Sequence, residues 1–181
     1  MKNKRYERAV TRNLHEIGTA ILERRALTGM HAAKTSHAVD YFRLAYNALF
    51  NDMVAHAIKA TDKHKESASF WYIKRCDETI VRDCAVKMGY DFGKLEIIAN
   101  KLINIRNKTH FHIDKKGVFD PSGVWKREKL TWKELDLLLD TIWNTLNYIY
   151  KTMHGEEFVF PSYDGSDVKI ILKLAKKEGL I

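Results

Sequence analysis

The strongest helical pattern in the chain lies at residues 131–154, which read TWKELDLLLDTIWNTLNYIYKTMH. It opens with a capping box, since Thr131 and Glu134 are three residues apart and can each bond an amide of the first helical turn. Gly155 follows as a helix stop. Between these ends, apolar residues recur at three- and four-residue steps, as one buried helix face requires: Leu135, Leu138, Leu139, Ile142, Trp143, Leu146 and Ile149. The pattern predicts a long helix to about His154.

The same periodicity predicts helices on the N-terminal side of this segment. They cover residues 5–27, stopped by Gly29; 36–61, capped by Thr35 or Ser36; 68–88, stopped by Gly89; and a stretch from a cap at Asp91 to about Arg106. Gly117, Pro121 and Gly123 predict a loop over 115–129, and residues 166–178 predict a short basic helix. No strand pattern of useful length is present. We therefore predict an all-α fold: one domain over residues 1–181, an up-and-down bundle of four to five long helices with a short C-terminal helix.

Composition narrows the class of protein. The chain has 31 Lys and Arg against 23 Asp and Glu, a formal charge of +8, which favours a polyanionic partner, nucleic acid first. Lysines scattered over solvated helix faces would give the same charge without any ligand. No apolar run is long enough to span a membrane, and the N-terminus lacks a signal-peptide core. Cys76 and Cys84, eight residues apart, are predicted to be reduced core thiols of a cytoplasmic protein.

The residues with the most reactive side chains lie at 105–114, IRNKTHFHID. RNA cleavage without a metal uses the ribose 2′-hydroxyl as nucleophile and needs a base, an acid and positive charge at the phosphate. His112 titrates near neutrality and suits proton transfer, whereas Arg106 stays charged and can bind two phosphate oxygens. Asn107 can orient the histidine or donate to the phosphate. This segment therefore predicts a site for phosphate chemistry.

Helix geometry leaves the choice of histidine open. Six residues turn about 600° on an unbroken helix, so Arg106 and His112 would point about 120° apart. They can meet only if the helix breaks before His112 or if two chains combine. His110, four residues from Arg106, would share its face on a continuous helix.

Arg106-Asn107, a spacer and His112, followed by Ile113-Asp114, resemble the motif of the HEPN superfamily. The continuation Gly117-Val118-Phe119-Asp120-Pro121 is similar to its phage abortive-infection branch. The resemblance implies a helical bundle that forms a homodimer through the motif helices and brings arginine and histidine of both chains into one cleft. It also implies a metal-independent endoribonuclease with RNA as substrate, acting as a toxin or phage-defence factor, with a small nucleotidyltransferase as one kind of antitoxin. Other members of the superfamily are non-catalytic modules that bind RNA, nucleotide or protein.

The predicted site therefore has three groups of residues. Arg106, His112 and Asn107 are the catalytic candidates, and His110, Lys108 and Asp114 are the supporting ones. The substrate-contact candidates are Lys101, Lys115, Lys116 and Trp125. No cofactor and no metal are expected.

The same residues also have other structural interpretations. Arg106 could bond helix-end carbonyls or pair with Asp114, since arginines near helix C-termini often do so. His110, His112 and Asp114 could hold a metal on an extended segment, but no strand is predicted there. Three other histidines, His56, His64 and His154, are expected to be mostly solvated or capping.

Overall fold

The computed structural model describes residues 4–32, 40–110 and 121–179. Within these ranges the chain is all-α and forms a helical bundle without strands. Its eight α-helices are α1 Lys4–Ala32, α2 Asp40–Thr61, α3 Phe70–Cys76, α4 Glu78–Met88, α5 Phe92–Ile105, α6 Pro121–Glu128, α7 Trp132–His154 and α8 Ser166–Lys177. The predicted caps of the second helix, Thr35 and Ser36, lie outside the described residues. Among the described helices, none combines the length and apolar character that a membrane span requires.

Helix α7 begins and ends as its sequence predicts. The Thr131 hydroxyl accepts from the Glu134 amide, the Glu134 carboxylate accepts from the Thr131 amide, and Gly155 ends the helix in the left-handed conformation. Its apolar face packs against α1, α4 and α5. The predicted stripe is buried except for Trp143, which is partly exposed. Helix α5 repeats the pattern: Asp91 caps it, and Leu95, Ile98, Leu102 and Ile105 are buried.

The helix predicted over 68–88 is two helices. Asp77 leaves helical geometry at φ −145°, ψ 65°, and its carboxylate accepts from the Ile80 amide, so it caps α4. An aspartate competes well for backbone amides, which makes it a better cap than a helix-interior residue. The break changes the prediction for the cysteines: Cys84 is buried in the core, but Cys76 is exposed.

Gly29 does not stop the first helix, which continues to Ala32. The residue instead permits close packing, because a Cβ at Gly29 would lie 3.3 Å from the carbonyl oxygen of Gly165. Gly165 itself has φ +73°, and a Cβ there would lie 3.1 Å from the carbonyl oxygen of Arg25. These two glycines let the segment before α8 cross α1 at backbone contact.

The loop predicted over 115–129 contains α6. Pro121 is the first residue of that helix, a position that suits its fixed φ and missing amide hydrogen. Proline was therefore a start signal here. Helix α6 ends two residues before Leu130 and returns the chain to the cap of α7.

Candidate functional site

The helical backbone changes its winding at the predicted motif. Helix α5 ends at Ile105, and residues Arg106–His110 form a single turn of π-helix, which we call the π-turn. The side of α5 that carries Ile105 is buried, whereas Asn107 and Lys108 are exposed and Arg106 is partly buried. Such π-turns inside or beside α-helices are frequent at functional sites, because the wider turn interrupts regular packing.

The helical path therefore continues through Thr109 and does not break there. His112 and Asp114 lie outside the described residues, as do the substrate-contact candidates Lys115 and Lys116. The side chain of His110 is likewise outside what the structure describes. The choice between His110 and His112 stays a prediction.

Arg106 faces the segment that follows α2. One terminal nitrogen, Nη1, lies 4.0 Å from Asp62 Oδ2, and the two side chains are 30% and 32% exposed. An ion pair of this length and exposure contributes at most about 1 kcal/mol, because water screens it. The contact with Asp62 therefore adds little to stability, and about a third of the Arg106 side chain is exposed to solvent.

A set of polar contacts fixes the π-turn against α6. Lys108 Nζ lies 4.0 Å from Glu128 Oε1, and the Asn104 amide donates to Glu128 Oε2 over 3.4 Å. Glu128 thus connects the last turn of α5 to the end of α6. The π-turn and α6 therefore lie side by side.

Lys101 has a structural partner. Its ammonium donates to Glu134 Oε1 over 2.7 Å and to the Lys129 carbonyl over 3.5 Å. This hydrogen bond from Lys101, followed by the amide of Thr131, holds the pKa of the Glu134 carboxyl below its usual range. Lys101 therefore supports the capping box of α7, in addition to any contact with substrate.

Trp125 lies in an aromatic pocket rather than on an open surface. Its ring is 5.1 Å from that of Phe50, which in turn meets Trp132 at 5.6 Å. With Leu130, Thr131 and Leu135 these rings line a pocket of about 140 Å³. Trp125 is partly buried, so only part of its ring could stack on a base.

Sequence reasoning missed a group of cations next to Asp62. Lys63, Lys74 and Arg75 line a surface pocket of about 420 Å³ together with Trp71, Glu78 and Glu96. The ammonium groups of Lys63 and Lys74 lie 5.3 and 5.6 Å from the Trp71 ring. Lys63 follows Asp62 in the chain, and its ammonium is paired with Glu96 at 2.6 Å. Periodicity gives no sign of this pocket, because its residues come from α3, α4, α5 and the segment after α2.

His56 is an exception among the histidines predicted to be mostly solvated or capping. Its ring is only 17% exposed, and Nδ1 lies 2.6 Å from Glu16 Oε2. Glu16 is itself buried and also contacts Arg12 at 2.6 Å and Lys59 at 3.6 Å. Burial acts to raise the pKa of Glu16, but the hydrogen bond from His56 and the charge of Lys59 outweigh it and hold the pKa below its usual range. Glu16 is therefore an ionised carboxylate inside the α1/α2 interface.

No family model matches the chain, and neither the curated proteins nor the solved structures include a significant match. The case for a function therefore depends on the motif and on the geometry around it.

Proposed function

We propose that the chain is a metal-independent endoribonuclease of HEPN type that acts as a toxin or phage-defence factor. The observation that carries the proposal is the π-turn at Arg106–His110. It lies where the motif begins, it exposes Asn107 and Lys108, and Arg106 at its start is partly exposed. A packed helix end serving only the fold has no need of such a turn.

The reaction follows from the side chains of the motif. A base removes the proton of the ribose 2′-hydroxyl, and the resulting oxygen attacks the adjacent phosphorus. The bond from phosphorus to the 5′-oxygen breaks, and an acid protonates that oxygen, which leaves a 2′,3′-cyclic phosphate and a 5′-hydroxyl. Arg106 binds the phosphate oxygens as negative charge develops on them. His112 of each chain in a homodimer supplies one of the two proton transfers.

Cationic side chains on the surface suit an RNA strand. Arg106 and Lys108 lie at the π-turn, and Lys63, Lys74 and Arg75 line a surface pocket together with two carboxylates. Phosphate contacts of this kind give affinity without base specificity and weaken as salt rises. We place the protein in the cytoplasm, with RNA as substrate and an antitoxin, such as a small nucleotidyltransferase, as its regulator.

The test is cleavage of mixed-sequence RNA by purified protein in excess EDTA. Wild type is expected to release fragments ending in 2′,3′-cyclic phosphate, and His112→Ala is expected to lose at least about 100-fold in rate, since proton transfer contributes that much. His31→Ala, at an exposed residue of the last turn of α1, is the matched control and should cleave normally. Intact RNA with wild type, or equal rates for wild type and His112→Ala, would overturn the proposal.

A second candidate is a non-catalytic module that binds RNA through the same surface. The contact between Arg106 and Asp62 favours it, because an arginine that pairs with a carboxylate is partly neutralised. This candidate predicts salt-sensitive RNA binding without strand scission, measured by fluorescence anisotropy over a range of salt concentrations. Scission that depends on His112 would exclude it.

A further inference from the structure

Four ionisable side chains meet between α1 and α2, away from the motif. Glu16 and Glu23 are seven residues apart on α1 and share one face, and Asp52 and His56 are four apart on α2. Because Glu16 contacts His56 while Glu23 faces Asp52, the two helices run antiparallel through the cluster. Asp52 precedes Asp62 by ten residues, about 15 Å along a helix. This cluster is therefore separate from the Arg106 surface.

The histidine is oriented as a ligand would be. Its Nδ1 is bound to the Glu16 carboxylate at 2.6 Å, and its Nε2 lies 3.7 Å from Asp52 Oδ1. A carboxylate that accepts from one ring nitrogen fixes the tautomer and leaves the other nitrogen with a lone pair. The nitrogen that keeps its lone pair is then the one near Asp52.

Glu23 supplies a buried oxygen on the other side. Glu23 Oε2 is inaccessible to solvent, and no donor in the described part of the chain hydrogen-bonds to it. Burial first, and the neighbouring Asp52 second, raise the pKa of Glu23 to about 8. Two carboxylates at this distance need a positive charge between them, and a proton or a cation can provide it.

One ligand atom each of Glu23, Asp52 and His56 lies within 4.8 Å of the others. Nitrogen and oxygen ligands bind zinc at about 2.0–2.2 Å, which puts two ligands of a tetrahedral ion about 3.3–3.6 Å apart, so the side chains would close in by up to about 1.5 Å as the ion binds. Asp52 is 62% exposed and can rotate to do so. Lys59 lies near the cluster but contacts Glu16, the group behind the histidine, at 3.6 Å.

We propose that Glu23, Asp52 and His56 Nε2 bind a divalent first-row transition metal, with Glu16 as the positioning residue for His56. One imidazole and two carboxylates suit Zn²⁺, Co²⁺ or Mn²⁺ better than Mg²⁺, which prefers oxygen ligands and water. The metal joins α1 to α2 and has a structural role. It takes no part in the cleavage of RNA at the Arg106 surface.

The test uses the full chain, stripped with chelator and then titrated with Co²⁺. We expect one ion to bind per chain, with a visible absorption band that Zn²⁺ displaces and a melting temperature that rises with metal. Glu23→Gln and His56→Gln should weaken binding at least about 10-fold, and Glu16→Gln should weaken it about 10–100-fold, as loss of a group that orients a ligand does. Asp52→Asn, at an exposed position, serves if a buried variant fails to fold.

Two controls decide the result. His154→Gln removes a histidine whose Nε2 lies 3.7 Å from Glu7 of α1, a comparable pair without a third ligand, and should bind Co²⁺ as wild type does. The double variant His110→Ala/His112→Ala should also bind normally, although it loses RNA cleavage. Three outcomes would overturn the metal site. They are failure of folded wild type to bind Co²⁺ stoichiometrically, binding by Glu23→Gln and His56→Gln as tight as that of wild type, and loss of binding in the double variant. None of these outcomes bears on the ribonuclease proposal.

Discussion

The end of α5 and the interface of α1 with α2 both gather charged residues, but they hold them differently. At the end of α5 the ionic contacts of Arg106 and Lys108 are 4.0 Å long and partly solvated. Between α1 and α2 the contact of Glu16 with His56 is 2.6 Å, and Glu16 is buried. A weak surface contact leaves charge available to a ligand, whereas a short buried contact uses charge to order the fold. Substitutions at the end of α5 should therefore lower activity, and substitutions between α1 and α2 should lower stability.

Arg106→Ala gives the largest expected effect. It should lower RNA cleavage by about 100–1,000-fold, the usual loss when one electrostatic group at a developing charge is removed. Loss of the ion pair with Asp62 should by itself lower the melting temperature little, because that contact is long and partly exposed. Cleavage of labelled RNA and a thermal melt on the same preparation measure both quantities.

Asp62→Asn is the matched control for that experiment. It removes the same ion pair from the other side and leaves the guanidinium in place. We expect cleavage by this variant to equal or exceed that of wild type. If Asp62→Asn loses as much activity as Arg106→Ala, the ion pair serves the fold, and the contrast between the two regions fails.

Glu16→Ala should have the opposite effect to Arg106→Ala: it should lower stability and leave RNA cleavage unchanged. It removes the acceptor from His56 and the counter-charge from Lys59 inside the interface. We expect the free energy of unfolding to fall by about 2 kcal/mol, since hydrogen bonds to buried charged groups contribute about that much. Urea denaturation with chelator present measures it.

Arg12→Ala controls for the exposed side of the same network. Arg12 also contacts Glu16 at 2.6 Å, but its side chain is 76% exposed. Its loss should cost less than about 1 kcal/mol. Equal costs for Arg12→Ala and Glu16→Ala would mean that the burial of Glu16 adds nothing to its contribution.

Local signals predicted the helices, and they erred where one residue type has two uses. The capping box of Thr131 and Glu134 and the buried stripe of α5 depend on residues within a few positions of one another, and both were correct. Asp77 and Pro121 look like a helix-interior residue and a loop marker, yet each begins a helix. Which use applies is decided by packing against distant segments, and periodicity carries no information about that.

The two charged regions also differ in how much of each can be predicted from the sequence. Arg106, Asn107 and His112 could be proposed as a site from the sequence because they are near one another in the chain. The partners Asp62 and Glu128 could not, because they come from α2's end and from α6. The cluster around His56 gave one usable sequence signal, the four-residue step from Asp52, and two carboxylates on α1 complete it only after the helices pack. A site assembled across helices is invisible to motif reasoning on a single sequence.

Lys101→Met gives the smallest expected effect and tests how far the proposed RNA surface extends along α5. Lys101 is the main cause of the lowered pKa of Glu134. A carboxyl with a lowered folded-state pKa contributes stability that is present above its unfolded pKa and lost as pH falls through the folded value. Without Lys101, that contribution shrinks, so the variant should be less stable near neutral pH and should lose less stability on acidification.

The difference in stability should be below about 1 kcal/mol, because both side chains remain partly exposed. Thermal melts from neutral to acidic pH measure it, with Lys133→Met as control, at an exposed lysine of α7, the helix that contains Glu134. RNA cleavage and its salt dependence should stay at the wild-type level; a shallower salt dependence would instead show that Lys101 contacts phosphate and that the RNA surface extends along α5.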